Sequence, residues 1–169
     1  PHSRILILRL SALSECVQGL PVACALRDHD PTLEIGWVTE GGTAEILRGH
    51  RAIDKVIALP HGWYKSWATM SSARQAVREF APAVTIDLQG LTKSAALAAC
   101  SGAKIRLGFS GQEGAELSSW FNNCRLAASA THVVDKNLEL LTLLGIVPLA
   151  ARFDLTRDAT CAAKILSWV

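Results

Sequence analysis

Short apolar runs alternate along this chain with longer segments that have helical periodicity. The runs predict strands over 4–10, 33–38, 55–59, 83–88 and 105–109. The segments between them predict helices over 15–29, 43–49, from Ser71 or Ser72 to Phe80, over 92–100 and over 133–144, with a further helix beginning at 157. This alternation predicts an α/β fold, a Rossmann-like open parallel sheet with helices on both faces.

The length of the chain fits one domain followed by the start of a connection. Half of its 169 residues are hydrophobic, which is enough for a sizeable core. We expect a domain over 1–150, then a connector and the start of a helix over 151–169 that leads toward a further domain. The chain begins at Pro1 and ends at Val169 inside a predicted helix, so we expect it to be a piece of a longer protein.

Charge and cysteine content exclude several classes of function. The 17 basic and 15 acidic residues give a net charge of +2, which argues against a nucleic-acid-binding protein. The five cysteines show no C-x-x-C spacing, so we expect reduced, mostly buried thiols in a cytoplasmic protein and no metal site. No apolar stretch approaches the roughly 20 residues of a membrane-spanning helix, and we expect no signal peptide.

The turn after the first predicted strand is the first candidate site. Residues 11–15 read Ser-Ala-Leu-Ser-Glu, and ligands of open α/β sheets bind at the carboxyl ends of strands. Backbone N–H groups at the following helix suit an anion, and Glu15 suits a general base. The structural alternative is that Ser14 caps the helix and Glu15 complements its dipole. No G-x-G-x-x-G is present, so a dinucleotide site lacks its glycines.

Three further segments contain candidate binding residues. Residues 87–94 read Asp-Leu-Gln-Gly-Leu-Thr-Lys-Ser, in which Lys93 would hold a phosphate or carboxylate, or would be a solvated lysine beside an N-cap threonine. Residues 63–67 combine three aromatic residues with Lys65 and suit sugar stacking or an amphipathic acceptor, unless the rings fold onto the core. His132 precedes a predicted helix and is either a functional residue or a capping or core histidine.

Together these segments resemble the N-terminal domain of the lipopolysaccharide heptosyltransferases, glycosyltransferase family 9. The resemblance covers residues 4–146 and rests on the order and spacing of several short motifs rather than on one of them. The matching segments are 4–9 leading into 11–13, Leu20-Pro21, Trp37-Val38, 87–94, 106–109, Glu116-Leu117 and 132–135.

The resemblance implies the N-terminal half of a GT-B glycosyltransferase, in which two Rossmann-like domains face a cleft. This half would receive the acceptor, a lipid-linked sugar of the lipopolysaccharide inner core. The other half, expected beyond residue 157, would bind the nucleotide sugar, ADP-heptose. The transfer would be inverting and metal-free, need no cofactor besides the donor, and take place at the cytoplasmic face of the inner membrane, held there by peripheral contacts.

In this family an aspartate after the first strand is the catalytic base, and Glu15 stands in its place. The resemblance implies acceptor contacts for Ser11 and Lys93, and position suggests them for Lys65 and His132. The chain departs from the family pattern Ser-x-x-Gly-Asp at Ser14 and Glu15, and it has Ala115 where an arginine is usual. A longer side chain displaces the carboxylate by about 1 Å, which can cost on the order of a hundredfold in rate.

These departures leave a second hypothesis, a catalytically drifted GT-B-like domain that binds a glycan or a partner. A third, a nucleotide-binding α/β domain of another class, is disfavoured by the missing glycine pattern. In the first, heptosyltransferase-like hypothesis, the isolated half is expected to be inactive.

Overall fold

The computed structural model describes residues 3–111, 114, 117–148 and 150–155. Its centre is a parallel sheet of six strands: β1 (Arg4–Leu8), β2 (Glu34–Glu40), β3 (Lys55–Leu59), β4 (Val84–Asp87), β5 (Ile105–Phe109) and β6 (Cys124–Leu126). The order across the sheet is β3-β2-β1-β4-β5-β6, and every neighbouring pair is parallel. The predicted parallel sheet is confirmed.

The first strand lies at the middle of this sheet. β1 pairs with β2 on one side, with Ile7 opposite Trp37, and with β4 on the other, with Ile7 opposite Ile86. Leu6, Ile7 and Leu8 are fully buried, and burying one such side chain contributes on the order of 1.5–3 kcal/mol. A strand covered on both faces is apolar throughout, which is why it is visible in the sequence as an uninterrupted run.

Helices cover both faces of the sheet, as predicted. They are α1 (Leu13–His29), α2 (Ala44–Leu47), α3 (Trp67–Phe80), α4 (Thr92–Cys100), α5 (Ser118–Phe121) and α6 (Val133–Glu139). Residues of α1 and α6 share one apolar cluster with Ile5 and Ile7, whereas residues of α3 and α4 share the other with Leu6 and Leu8. Alternate β1 side chains therefore belong to two separate apolar cores, one on each face of the sheet.

Helix α1 approaches the sheet closely because it has a glycine at the point of contact. A Cβ atom at Gly19 would lie 2.9 Å from Trp37 Cη2 and 3.1 Å from Leu88 Cδ1. Pro21 lies inside α1 rather than near its first turn, because the helix begins two residues before the predicted start. It has no N–H to give to the helix, and it is buried.

Several boundaries differ from the sequence prediction. α3 begins at Trp67, ahead of the predicted serine caps, since Ser66 is the residue in extended conformation before the helix. The helix predicted over 133–144 is α6 followed by a 3₁₀ segment, Leu140–Leu144, which ends at left-handed Gly145. The segment predicted as helical over 43–49 is a 3₁₀ turn, Gly41–Thr43, and the single turn of α2, and the Thr43 side chain does not cap it.

Two short elements, α5 and β6, were not predicted. With four and three residues they are too short for either hydrophobic period to be recognised. The predicted helix from 157 lies outside the described residues, and the division into 1–150 and 151–169 stays a prediction. Among the helices the structure describes, none is long and apolar enough to cross a bilayer.

Candidate active site

The carboxyl edge of the sheet has a topological switch point between β1 and β4. From β1 the chain moves outward through β2 and β3, and then returns to the other side of β1 with β4. Loops that leave neighbouring strands in opposite directions open a crevice, which is where open α/β sheets bind ligands. Segment 11–15 follows β1 and segment 89–93 follows β4, and each runs into the first turn of its helix. The structure therefore brings the two best sequence candidates to the two sides of one crevice.

The two turns are joined by the side chain of Gln89. Its Oε1 atom accepts hydrogen bonds from the backbone N–H groups of Leu10, at 3.0 Å, and Ser11, at 3.4 Å. Because of these two hydrogen bonds, the predicted residue Ser11 lies at the crevice, with its backbone tied to the turn after β4. The Ser11–Ala12 peptide bond is cis.

Asp87 is a buried residue that holds the turn after β4 in place through hydrogen bonds. Its carboxylate accepts hydrogen bonds from the backbone N–H groups of Gln89, at 3.1 Å, and Gly90, at 3.2 Å, and from Asn122 Nδ2, at 3.1 Å. Complete burial raises the pKa of Asp87, and hydrogen bonds from Ser94, Asn122 and the turn oppose that rise. Asp87 thus acts as a support for the turn and is closed off from a ligand.

Glu15 occupies the first turn of α1 with its carboxylate held on one oxygen. Glu15 Oε2 accepts a hydrogen bond from Ala12 N at 3.1 Å and lies 3.4 Å from Arg9 Nη2. Glu15 Oε1 has no hydrogen bond or ion pair with a described residue, and the side chain is 42% exposed. The proposed cap at Ser14 is wrong, because Ala12 is the N-cap residue and Ser14 lies within the helix. Glu15 itself satisfies the Ala12 N–H, as a carboxylate at a helix N-terminus can.

Arg9 is the buried group behind Glu15. Only 8% of the residue is exposed, and its guanidinium donates from Nη1 to the Leu88 carbonyl oxygen while Nη2 faces Glu15. Its own carbonyl oxygen accepts from Trp37 Nε1, at 3.3 Å, and from Cys16 Sγ, at 3.2 Å. Arg9 therefore positions the Glu15 carboxylate from the core side of the crevice.

Lys93 belongs to a second polar cluster, built around buried Glu40. The Glu40 side chain is only 2% exposed, and its Oε2 atom lies 3.3 Å from Lys93 Nζ. Its Oε1 atom accepts from the Gly62 N–H at 2.7 Å and lies 3.4 Å from His61 Nδ1. Lys93 Nζ also lies 5.1 Å from the centre of the Tyr64 ring, within cation–π range. The idea that Thr92 caps α4 is wrong, because Leu91 is the N-cap residue.

The aromatic segment divides between core and surface. Trp63 is 6% exposed and packs edge-on against Tyr64, with ring centres 6.0 Å apart. Trp67 is 86% exposed at the start of α3. Lys65 is exposed in the 3₁₀ turn Trp63–Lys65, at the carboxyl end of β3. The core interpretation is therefore confirmed for Trp63, whereas Tyr64 and Trp67 are exposed and their part in acceptor binding stays a prediction.

His132 is the N-cap of α6. Its Nδ1 atom accepts a hydrogen bond from Val134 N at 3.3 Å, which is the capping role that its sequence position allows. Helix α6 packs on α1, where Asn137 Nδ2 donates to the Gln18 carbonyl oxygen at 3.2 Å. No described contact joins His132 to the Glu15, Lys93 or Lys65 side chains.

The remaining sequence candidates fall partly outside the described structure. Ala115 and Glu116, which belong to the family comparison, lie outside the described residues. Among the residues that are described, no group of three or more His, Cys, Asp or Glu side chains has the arrangement of a metal site. Cys16 and Cys24 are buried and reduced, and burial raises the pKa of each thiol to about 11.

Sequence reasoning missed three residues that shape this edge: Arg9, Glu40 and the side chain of Gln89. For Arg9 and Glu40 a signal was present. Each is a charged residue at the carboxyl end of an apolar strand, where a buried charge has to find a partner. For Gln89 no signal was present, because its partners lie 78 and 79 positions earlier in the chain.

Comparison with known proteins relates the chain to sugar transferases. The profile of glycosyltransferase family 9 (heptosyltransferase) matches residues 70–160, which is more than half of the chain. Lipopolysaccharide heptosyltransferase 1 of Escherichia coli K12 is 32% identical over 146 residues. That alignment covers 81% of this chain and 46% of the relative, so the chain spans about half the length of this curated relative.

Solved structures agree with this relationship. The E. coli heptosyltransferase WaaC, solved with ADP-2-deoxy-2-fluoro heptose, superposes with a TM-score of 0.75 at 30% identity, covering 90% of this chain and 52% of that one. E. coli ADP-heptose lps heptosyltransferase II superposes with a TM-score of 0.74 at 14% identity, over 98% of this chain and 50% of that one, which supports the fold alone.

Proposed function

The chain belongs to glycosyltransferase family 9, the heptosyltransferase family, and on that premise we propose that it is the acceptor-side half of an inverting GT-B glycosyltransferase. The proposed reaction transfers heptose from ADP-heptose to an acceptor sugar of the lipopolysaccharide inner core. The WaaC structure with a fluorinated ADP-heptose supports this choice of donor. ADP-heptose would be bound mainly by a second domain, and the half described here is expected to be inactive alone.

The main support for this proposal is that the two oxygens of the Glu15 carboxylate have different surroundings. One oxygen is held by Ala12 N–H and Arg9, while the other is free of described partners on a half-exposed side chain at the switch-point crevice. A general base needs such an arrangement, because it has to be oriented and still have a lone pair for the incoming proton.

The proposed step follows from this geometry. Glu15 Oε1 accepts the proton of the acceptor hydroxyl while the hydroxyl oxygen forms a bond to the anomeric carbon of the donor. The bond from that carbon to the phosphate oxygen breaks, its electron pair leaves with ADP, and the configuration at the carbon inverts. Since Glu15 is partly exposed, the proton can then pass to solvent.

We assign acceptor binding to Ser11, Lys93, Lys65 and His132 as part of the same proposal. Ser11 and Lys93 flank the crevice, and Lys65, which has no ion pair with a described residue, follows β3, two strands away from β1. Cations at this edge suit an acidic sugar, whose carboxylate or phosphate they would bind. His132 has the weakest support because its Nδ1 atom is already used as a helix cap. The lipid-linked acceptor would place the enzyme at the cytoplasmic face of the inner membrane.

The test replaces Glu15 in a protein that joins this chain to a donor-binding half, either its natural continuation or that of the E. coli relative. Glu15→Gln keeps an oxygen for Ala12 N–H but removes the base, so we expect kcat to fall by about 10²–10⁴ with little change in KM. ADP release with a water-soluble inner-core acceptor is the measurement. Glu45→Gln, an equal charge change at an exposed residue of α2, is the matched control and should leave kcat unchanged. Equal rates for Glu15→Gln and the parent would refute the base role.

A second candidate function, a drifted glycan-binding domain, is favoured by one observation. Glu15 is a methylene longer than the family aspartate, and its carboxylate folds back onto Ala12 N–H and Arg9. In this case the parent protein binds acceptor but releases no ADP. Glu15→Asp separates the two functions, because a gain in rate on shortening would show that the parent carboxylate is displaced from its working position.

A further inference from the structure

A groove of about 720 Å³ runs between α3 and α4 on the face of the sheet opposite α1. Its walls are mainly apolar, and they include Trp63, Trp67, Met70, Leu97 and Phe121. A concave apolar groove of this size is large enough to enclose a hydrocarbon segment. The groove plays no part in the proton transfer proposed above.

The charged residues of the groove are all cationic. Arg74, Arg78 and Lys93 line it, and no carboxylate is among its described lining residues. Arg74 and Arg78 are exposed residues that form no ion pair with a described residue, so their charges are available to a ligand. An apolar groove with an exclusively cationic rim is complementary to an anionic amphiphile.

Two further observations point to a ligand. The indole N–H of buried Trp63, which lines the groove, has no hydrogen-bond partner in the described structure, and buried donors rarely remain unpaired. Trp67 and Trp120 are 86% and 83% exposed, and they lie at the groove and next to its lining residue Phe121. Exposed tryptophans are typical of surfaces that meet the interfacial region of a bilayer.

We propose that the α3–α4 groove is a docking site for an anionic lipid of a membrane surface, taking an acyl chain between the helices and the headgroup against Arg74 and Arg78. Trp67 and Trp120 would insert at the level of the headgroups. This inference deepens the proposed function, on which it rests for the peripheral membrane contact, by naming the surface and the class of lipid that make that contact. Vesicle binding itself requires neither the donor nor the acceptor sugar. Since Lys93 and Tyr64 also line the groove, docking would hold the crevice next to the lipid surface.

The test is co-sedimentation of the chain with vesicles of phosphatidylcholine, with and without phosphatidylglycerol. We expect binding only to the anionic vesicles. Each arginine near such a surface is worth about 1 kcal/mol, so Arg74→Gln with Arg78→Gln should weaken binding by roughly 25- to 30-fold. Trp67→Ser should weaken it by roughly tenfold. Arg125→Gln, at an exposed position of β6, and Val147→Ser, at a residue 78% exposed, are matched controls and should bind like the parent.

Quenching by brominated lipids locates the contact. Brominated anionic vesicles should quench the tryptophan fluorescence of the parent, and less so that of Trp67→Phe and Trp120→Phe. Equal binding of parent and groove variants, or equal binding to both vesicle types, would overturn the proposal. Binding that appears only when a lipid-linked acceptor is incorporated would also overturn it, by assigning the groove to the tail of the acceptor.

Failure here is distinguishable from failure of the proposed function. Turnover of a water-soluble acceptor depends on Glu15 and should be unaffected by Arg74→Gln with Arg78→Gln. Loss of vesicle binding with unchanged soluble turnover supports the groove as a separate site. Unchanged vesicle binding of the groove variants, together with lost turnover of Glu15→Gln, would refute the groove and leave the base role intact.

Discussion

Replacing Glu40 should reveal how strongly one buried carboxylate organises the edge of the sheet. Its side chain is 2% exposed and contacts the Gly62 N–H, Lys93 Nζ and His61 Nδ1 at 2.7, 3.3 and 3.4 Å. Glu40→Gln keeps an oxygen for Gly62 but removes the charge. Glu40→Leu removes both, and leaves the partly buried Gly62 N–H and the partly buried Lys93 ammonium group without their partner.

The expected magnitudes follow from these contacts. Removing one member of a buried ion pair costs about 3–5 kcal/mol. Lys93 is 27% exposed and His61 is 93% exposed, so water takes over part of their interaction. We therefore expect Glu40→Gln to lower the free energy of unfolding by about 1–2 kcal/mol and Glu40→Leu by about 3 kcal/mol, since the latter also leaves the Gly62 N–H unsatisfied.

Urea titration of the chain measures both values, and a double-mutant cycle with Lys93→Met isolates the pair. We expect a coupling free energy of about 1 kcal/mol between Glu40 and Lys93. Hydrogen exchange supplies the local readout, because loss of the Glu40 anchor should speed exchange at the Gly62 amide and in the following 3₁₀ turn. A coupling near zero, or equal small losses for Gln and Leu, would refute the view that Glu40 anchors this edge.

Two further predictions concern titratable groups. Burial raises the pKa of the Cys16 thiol to about 11, so iodoacetamide at neutral pH should alkylate exposed Cys100 and spare Cys16 in the folded chain, as read by peptide mass spectrometry; comparable labelling of the two would contradict the burial argument. Burial also raises the pKa of Asp87, so the folded chain binds this proton more tightly than the unfolded chain, whose aspartate pKa is about 3.9. Its contribution to stability is therefore fully present below that value and is lost as pH rises toward the raised folded-state pKa. Urea titrations across this range should show a steeper loss for the parent than for Asp87→Asn, and the opposite slope difference would contradict the assignment.

The parts of the fold that were predictable are those with a strong local pattern. β3, α4 and β5 have the predicted bounds, because their apolar runs and the flanking turn residues coincide. β6 was not predictable, since three residues on the edge of a sheet give no period to detect. The start of α3 was also missed, because exposed Trp67 gives no helical signal.

The site was predictable in its location but not in its internal contacts. Placing Glu15 and Lys93 at the carboxyl ends of strands needed only the alternation of strands and helices. The pairing of Lys93 with Glu40 joins positions 53 residues apart, and it depends on the strand order, which no local pattern contains. The same limit applies to Arg9, whose role depends on its contacts with Glu15 and the Leu88 carbonyl.

The contacts at this edge also imply that the position of Glu15 depends on three strands rather than on its own turn. The Leu10 N–H is held by Gln89 after β4, and the Leu10 carbonyl oxygen accepts from the Glu40 N–H at the end of β2, at 2.8 Å. Glu15 lies in the first turn of α1, five residues beyond Leu10, so a shift at either neighbour would be transmitted to the carboxylate. Since a displacement of about 1 Å can change a rate on the order of a hundredfold, Gln89→Ala should lower kcat in the joined protein without removing any group that meets the substrate. Unchanged kcat for Gln89→Ala would mean that Arg9 and Ala12 alone are sufficient to position the base.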